Sequence, residues 1–280
     1  KLFEISQNKK RSGFVSTAEL ASETIKIIEN LTTRKMAITG IASGFKKLDK
    51  MTAGFQDSDL IIIAARPGMG KTSFSLNIVM HAALVHGLKV GFFSLEMAKE
   101  QLMMRMLSAK SKLNFGKIRT GFLSDSEFQK TVDAADALQR ANIYIDDTPA
   151  LTSLDLRSRT RRIKSDKGID LLIVDYLQLM RGNSRTDNRE REIAEISLSL
   201  KALAKELQIP IIAISQLSRQ TEARTDKKPQ LSDLRESGAL EQDADMVIFL
   251  HRADAYKRVA DERDGLAEVI IGKQRNGPTG

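Results

Sequence analysis

The 280-residue chain contains no cysteine and no tryptophan, and only five prolines and 5% aromatic residues. Without cysteine it has neither disulfides nor thiolate metal sites, which fits a reducing compartment. It also lacks an apolar run near the ~20 residues that span a bilayer, and its first residues show no signal-peptide pattern. These absences favour a soluble cytoplasmic protein, with no membrane among its partners.

What is present is typical of a globular protein. Hydrophobic residues make up 41% of the chain and charged residues 29%, enough of each for a core and a solvated surface. The length suits one large domain with an appendage. The formal net charge of +8 favours a polyanionic partner such as nucleic acid, without requiring one. Because the first residue is Lys1 rather than Met, we expect the chain to be a fragment.

Residues 16–31 have the pattern of a short amphipathic helix. Ser16 and Glu19 have the spacing of a capping box. One helical face carries Leu20, Thr24, Ile27, Ile28 and Leu31. The pattern leaves open whether this helix packs on its own domain or docks on a neighbouring subunit. We therefore divide the chain into a linker, residues 1–37, and a main domain, residues 38–280.

From Asp57 onward, short β-branched runs alternate with helical periods. The runs are DLIIIAA, KVGFFSLE, NIYIDD, DLLIVDYLQLM, IPIIAISQ and ADMVIFLHR. Continuous apolar runs are typical of strands buried on both faces. They predict an α/β fold with a mostly parallel central sheet flanked by helices. Ligands of such sheets bind at the carboxyl ends of the strands, so the residue that closes each run is a candidate site residue.

Residues 65–73, ARPGMGKTS, match the phosphate-binding loop G-x-x-x-x-G-K-[ST], except that Ala65 replaces the first glycine. The glycines let backbone N–H groups turn onto phosphate oxygens, and the following helix favours anions at its N-terminus. Lys71 is predicted to contact the β- and γ-phosphates and the Thr72 hydroxyl to bind Mg²⁺. The residues predicted to bind the nucleotide are Arg66, Pro67, Gly68, Met69, Gly70, Lys71, Thr72 and Ser73.

Three other runs close on residues suited to nucleotide hydrolysis. Asp175 is predicted to hold Mg²⁺ through water. Glu96 is predicted to orient or deprotonate the attacking water, although it could instead cap the next helix. Gln216 is predicted to hydrogen-bond the γ-phosphate or the water and to report to the segment that follows it.

Two polar segments rich in Lys and Arg follow these strands, at residues 181–192 and 217–238. The second is too long for an ordinary strand-to-helix connection. The segments either bind nucleic-acid phosphates or form solvated faces, and the pattern favours the first. Their lack of aromatic residues favours contact with the nucleic-acid backbone over base stacking.

Six stretches in order resemble the C-terminal ATPase domain of bacterial replicative DNA helicases of the DnaB family. They are ARPGMGKTSF, FFSLEM, VDYLQLM, AISQLSR, DLRESGALEQDADMVIFLHR and KQRNGPTG. The resemblance covers the chain from about residue 38 to its end. It implies a RecA-like P-loop fold, ATP with Mg²⁺, a homohexameric ring with ATP sites at subunit interfaces, and 5′ to 3′ translocation on single-stranded DNA at the replication fork.

The resemblance also implies roles for particular residues. Lys273 and Arg275 would act in trans on the ATP of a neighbouring subunit. Arg235, Glu236 and Gly238 match the positions that hold the DNA backbone in such helicases, with Glu236 either positioning Arg235 or offering its backbone N–H.

The resemblance further implies that the helix in the linker docks on the adjacent subunit. The family's N-terminal domain, which contributes to primase contact, is missing from this chain. The resemblance also implies primase and a helicase loader as partners.

Three alternatives share the same ATP-binding core. A RecA-like recombination or repair ATPase would exchange strands on an open filament, and the stretch DLRESGALEQDAD argues against it. A nucleotide-gated assembly scaffold would have a slow ATPase that DNA does not stimulate. A small-molecule kinase would need an acceptor-pocket signature that the sequence does not display.

Overall fold

The computed structural model describes residues 14–34, 38–182, 188–256 and 265–280. Contacts within the chain divide it into two compact units, Lys1–Thr39 and Gly40–Gly280. Among the described residues, no helix is both long and apolar enough to cross a bilayer.

The first unit contains helix α1, Thr17–Arg34. The Ser16 hydroxyl accepts a hydrogen bond from the N–H of Glu19 at 3.3 Å, which caps the helix as the spacing predicts. The helix extends three residues beyond the predicted end at residue 31. Leu20, Ile25, Ile27 and Ile28 are about half exposed.

The second unit alternates strands and helices. Its elements are α2 (Lys46–Thr52), β1 (Leu60–Ala65), α3 (Lys71–Val85), β2 (Val90–Ser94), α4 (Lys99–Ser111), α5 (Phe115–Thr120), α6 (Asp125–Gln139), β3 (Ile143–Asp146), α7 (Ser153–Lys167), β4 (Leu171–Asp175), α8 (Arg189–Leu207), β5 (Ile211–Gln216), α9 (Gly238–Asp243), β6 (Met246–His251) and β7 (Glu268–Gln274). Short 3₁₀ helices cover Leu177–Leu179, Arg219–Ala223, Leu231–Ser237 and Ala253–Tyr256.

The described strands form one sheet in the order β3-β2-β4-β5-β1-β6-β7. Strands β1 to β6 are parallel, and β7 pairs antiparallel with β6. The predicted mostly parallel sheet is therefore confirmed, and each of the six apolar runs contains a strand. The strand predicted to close on Glu96 ends at Ser94, so Glu96 lies two residues beyond it.

Both faces of the sheet are covered, which explains the continuous apolar runs. In β1, Ile61 and Ile63 belong to the core shared with α3, whereas Leu60 and Ile62 belong to the core shared with α8. Every residue of β1 and β4 is buried. Because β1, β4 and β5 are parallel neighbours, their carboxyl ends lie at the same edge of the sheet.

Candidate nucleotide-binding site

The phosphate loop, residues 66–70, connects β1 to the start of α3 at Lys71. Gly68 and Gly70 have φ angles of 77° and 94°, in the left-handed region. A Cβ atom added at either glycine would meet no atom within 4 Å. Backbone conformation rather than crowding therefore requires glycine here. The N-terminus of α3 points its free N–H groups at the same place, as an anion site needs.

Thr72 and Asp175 meet beside this loop. The Thr72 hydroxyl donates a 2.7 Å hydrogen bond to Oδ2 of Asp175. Asp175 is 1% exposed, and its Oδ1 has no hydrogen-bond partner among the described residues. Burial raises the pKa of Asp175 to about 6, with a further rise from Glu96 and an opposing effect of the Thr72 hydrogen bond.

This pair suits the predicted metal. Mg²⁺ prefers oxygen ligands, binds through one or two carboxylates and keeps several waters. A buried carboxylate oxygen without a partner, next to a hydroxyl, provides such ligands. Within the described residues no group of three His, Cys, Asp or Glu side chains could hold a metal. A metal here would therefore depend on Thr72, Asp175, water and the nucleotide.

Lys71 lies at the same edge of the sheet. Its Nζ donates hydrogen bonds to the carbonyl oxygens of Ala65 and Arg66 at 3.1 and 3.2 Å. Burial lowers the pKa of Lys71, whereas the nearby carboxylates of Asp175 and Glu96 raise it. The cation thus faces two carboxylates inside one site.

A cavity of about 370 Å³ is lined by the phosphate loop, Lys71 and Thr72. Its lining residues are Pro67, Gly68, Gly70, Lys71, Thr72, Ser73, Glu96, Met97, Arg105, Tyr176, Gln216 and Arg252. The structure therefore brings the loop together with Glu96 and Gln216. A second cavity, of about 420 Å³ at the edge strand β3, contains none of the predicted site residues.

Two residues of the predicted loop do not line the cavity. The Met69 side chain is 5% exposed and packs in the core shared with α3. The Arg66 side chain turns toward the segment after β5, where it bonds to Leu217 and Glu222. These two residues could contact a nucleotide only through their backbone.

The cavity also contains side chains that the sequence reasoning missed. Arg252 closes the run ADMVIFLHR, so the rule that strand-closing residues are candidate site residues (the strand-end rule) could have selected it. Tyr176 directly follows Asp175 and could have been selected with it. Arg105 lies within α4, where no local pattern distinguishes it from other basic residues of that helix.

Lys273 and Arg275 do not line this cavity. The Nζ of Lys273 donates to the carbonyl oxygens of Glu241 and Gln242, and Arg275 donates to that of Gln242 at 2.8 Å. The two cations thus contact the C-terminal end of α9, where positive charge is favourable. Their own chain keeps them apart from the phosphate loop.

The predicted DNA-contacting residues lie just before and at the start of the same helix. Arg235 and Glu236 belong to the 3₁₀ helix Leu231–Ser237, but their side chains lie outside the described residues. Gly238 is exposed and begins α9. Part of the other basic segment, residues 183–187, is also outside the described residues.

Asp233 organises the segment that leads to these residues. Its carboxylate, 3% exposed, accepts hydrogen bonds from Arg224 and from the N–H of Gln230. Burial alone would raise the pKa of Asp233, but these hydrogen bonds outweigh it and lower the pKa. The segment therefore has a defined internal structure rather than only a solvated face.

The chain resembles known proteins along its whole length. Residues 40–280 match the family model described as the DnaB-like helicase C terminal domain. The chain is 49% identical over 281 aligned residues to the replicative DNA helicase DnaB of Geobacillus stearothermophilus, and 48% identical over 280 residues to the replicative DNA helicase DnaC of Bacillus subtilis. All of this chain is covered in both comparisons, but it spans 62% of the length of each relative.

Solved structures show the same similarity. The ATPase domain of G40P superposes with a TM-score of 0.87 at 39% identity, covering 93% of both chains. A DnaB-like replicative helicase, solved to study its interactions with primase, gives a TM-score of 0.85 at 37% identity, covering all of this chain and 66% of the other. The RadB recombinase, with a TM-score of 0.54 at 18% identity over 86% of this chain and 92% of its own, shares the fold alone. This chain therefore belongs to the family of DnaB-like helicase C-terminal domains.

Proposed function

We propose that this chain is the ATP-driven motor of a replicative DNA helicase that moves 5′ to 3′ along single-stranded DNA. The observation that carries the proposal is the cavity at one edge of the sheet that Lys71, Thr72 and Glu96 line, with Asp175 bonded to Thr72. The full-length similarity to replicative DNA helicases supports DNA unwinding as the use of that ATPase.

The residues of the cavity divide the chemistry among them. The backbone N–H groups of the phosphate loop and Lys71 would bind the phosphates of ATP. When bound, Mg²⁺, held by Thr72 and Asp175, would neutralise charge on the phosphate oxygens. Glu96, exposed in the cavity, would accept a hydrogen bond from the attacking water and take its proton. The amide of Gln216 would bind the γ-phosphate or that water.

A second subunit would complete the site. We assign Lys273 and Arg275 to the ATP of the neighbour in a homohexameric ring. A trans arginine is worth ~10³ to 10⁵ in rate in related phosphoryl-transfer enzymes. The half-exposed apolar side chains of α1 support the docking of this helix on the adjacent subunit. An isolated subunit is then expected to hydrolyse ATP very slowly.

The DNA would contact the segment around residues 217–238. We assign Arg235, Glu236 and Gly238 to its phosphate backbone, and the net charge of +8 favours such a partner. Primase is a proposed partner because the solved structure of a similar DnaB-like helicase concerns its interactions with primase. A helicase loader is another. Such a complex would act at the replication fork in the bacterial cytoplasm.

Strand displacement on forked DNA tests the polarity. Forks with either a 5′ or a 3′ single-stranded tail are incubated with ATP or with a non-hydrolysable analogue. We expect the 5′-tailed fork to be unwound with ATP only. Unwinding of the 3′-tailed fork alone would contradict the assigned direction.

ATP turnover with and without single-stranded DNA separates the motor from the two main alternatives. A motor is expected to show stimulation by DNA, and an assembly scaffold none. A recombinase would also be stimulated, but it would exchange homologous strands and would not unwind a fork without homology.

A further inference from the structure

The guanidinium of Arg66 has no role in the chemistry proposed above. Arg66 is the first residue of the phosphate loop, yet its side chain does not line the cavity. The side chain is 10% exposed and turns toward segment 217–238, which follows β5. Its Nη1 donates to the carbonyl of Leu217 at 2.8 Å, and its Nε donates to the Glu222 carboxylate at 2.7 Å.

The backbone of Leu217 is attached to the same strand end. Its N–H donates to the carbonyl oxygen of Ala65 at 3.2 Å. That oxygen also accepts a hydrogen bond from Nζ of Lys71. Leu217 therefore shares an acceptor with the phosphate-loop lysine while Arg66 holds its carbonyl. The start of the segment cannot shift relative to the phosphate loop without breaking one of these bonds.

The contacts of Arg66 are suited to transmitting a displacement. A guanidinium is planar and holds its donors in a fixed geometry, so two bonds define its orientation. It is nearly buried, and separating it from its partners would leave donors unsatisfied, which costs more than breaking an exposed contact. Glu222, at the far end, is 45% exposed and lies in a short 3₁₀ helix of the segment. Arg66 thus joins the phosphate loop to a half-exposed carboxylate of the segment.

We infer that Arg66 is a positioning residue that couples movements of the phosphate loop to segment 217–238. Gln216 would respond to the γ-phosphate through its side chain in the cavity. Arg66 would respond to the shape of the loop that wraps the phosphates. The consequence for DNA rests on the proposed function, which assigns DNA contact to the end of this segment.

The test uses Glu222→Ala, because Glu222 does not line the nucleotide cavity. Glu268→Ala is the matched control: Glu268 forms a 2.8 Å ion pair with Lys228 of the same segment, and its carboxylate is 50% exposed. Each variant removes a half-exposed carboxylate that forms one ion pair at this segment. Only Glu222→Ala loses a link to the phosphate loop.

Hydrogen exchange of the full chain is measured with and without a non-hydrolysable ATP analogue and Mg²⁺. We expect the analogue to change exchange across residues 218–237 in the wild type and in Glu268→Ala, and to change it about threefold less in Glu222→Ala. Exchange in the phosphate loop is expected to slow in all three. The inference is overturned if the analogue changes exchange in Glu222→Ala as much as in the wild type. It is also overturned if the analogue leaves exchange in the wild-type segment unchanged.

The ratio of DNA-stimulated to basal ATP turnover provides a readout that a purely structural role would not change. In Glu222→Ala we expect about threefold weaker stimulation by single-stranded DNA with unaltered basal turnover. Arg66→Lys keeps the charge but loses the fixed donor geometry, and is expected to weaken stimulation as well. An equal loss of basal and stimulated turnover, with a lower melting temperature, would make the contact structural only. If single-stranded DNA does not stimulate wild-type ATP turnover, the proposed function fails. The hydrogen-exchange experiment then still tests the positioning role of Arg66.

Discussion

Two lysines make the same kind of contact in different surroundings. Lys71 donates to two carbonyl oxygens at the start of the phosphate loop, and Lys273 donates to two at the end of α9. Burial lowers the pKa of both. The carboxylates of Asp175 and Glu96 raise the pKa of Lys71. A second cation, Arg275, lowers the pKa of Lys273 further, against the opposing effect of nearby carboxylates, chiefly that of Asp245.

This difference separates a site within one chain from a surface that needs a second chain. The charge of Lys71 is balanced inside a cavity that can hold a phosphate. Arg275 forms a 3.6 Å ion pair with Oδ1 of Asp245, whose other oxygen is bound to Lys201. The Arg275 side chain is 49% exposed, so an anion from another molecule can approach it at the surface. The following experiments test this division.

Lys71→Ala is expected to have the largest effect. It removes the cation that would contact the phosphates in both ground and transition state, so we expect ATP turnover to fall about 10³-fold or more and nucleotide binding to weaken. Phosphate release and equilibrium binding measure the two effects. Lys273→Ala is the comparison, since it should lower turnover but leave nucleotide binding by its own chain intact. Comparable binding losses in both variants would erase the distinction between the two lysines.

Arg275→Ala is expected to lower turnover about 10²- to 10³-fold while nucleotide affinity stays within about threefold, because its charge would act on the transition state of a neighbour. Mixing Arg275→Ala subunits with Glu96→Gln subunits tests the trans assignment. Some interfaces of a mixed ring then combine an intact Glu96 with an intact Arg275. We expect partial recovery of turnover. No recovery at any mixing ratio would place the two residues in the same subunit's site.

Arg235→Ala is expected to weaken binding of single-stranded DNA about fivefold at moderate salt, equally across sequences. Losing one phosphate contact should also flatten the dependence of log K on log salt by about one unit of slope. Titrations at several salt concentrations measure both. Arg219→Ala, in the same segment, is a control for general loss of charge. An unaltered slope would remove Arg235 from the DNA contacts.

Asp59→Asn is expected to have the smallest effect, and it acts on stability. Burial, together with Asp245, raises the pKa of Asp59 from 3.8 to about 6, against the opposing charges of Lys201 and Arg275. Between these two pH values the folded chain binds the proton more tightly than the unfolded chain. The free energy of unfolding therefore falls as pH rises through this window and stays lower above it.

The Asn side chain avoids this cost. We expect Asp59→Asn to raise the free energy of unfolding by about 1 kcal/mol at pH 7 and to leave it unchanged near pH 4. Denaturant unfolding at both pH values measures the difference. Asp136→Asn, at an exposed position in α6 and not among the charges that act on Asp59, is the control. A gain at pH 4 as large as at pH 7 would show that ionisation of Asp59 is not the cause.

Much of the fold could be predicted because its signals are local. Each of the six apolar runs contains a strand, since β-branched residues in succession suit burial on both faces. The glycines of residues 66–70 predict a loop before a helix for an equally local reason. Glycine readily adopts the positive φ angles that Gly68 and Gly70 have in the structure. The apolar run before Lys273 forms β7, but its antiparallel pairing with β6 depends on a partner some twenty residues away, which no local pattern encodes.

The phosphate-loop motif selected Lys71. The residues that close apolar runs, Asp175, Glu96 and Gln216, were selected because parallel neighbours end at one edge of the sheet. The strand-end rule failed for Arg105, which reaches the cavity from within α4. It also treated Arg66 only as part of the phosphate loop. Its guanidinium instead contacts a residue 156 positions away.

Local order along the chain was therefore enough to establish the elements, the phosphate loop and the family resemblance, because periodicity and motif spacing are properties of neighbouring residues. Which groups meet depended on strand order and crossovers, which join residues far apart in sequence. Only the folded chain brings Thr72 to Asp175, ties Arg66 to Glu222, and holds Lys273 at the end of α9 rather than beside its own phosphate loop.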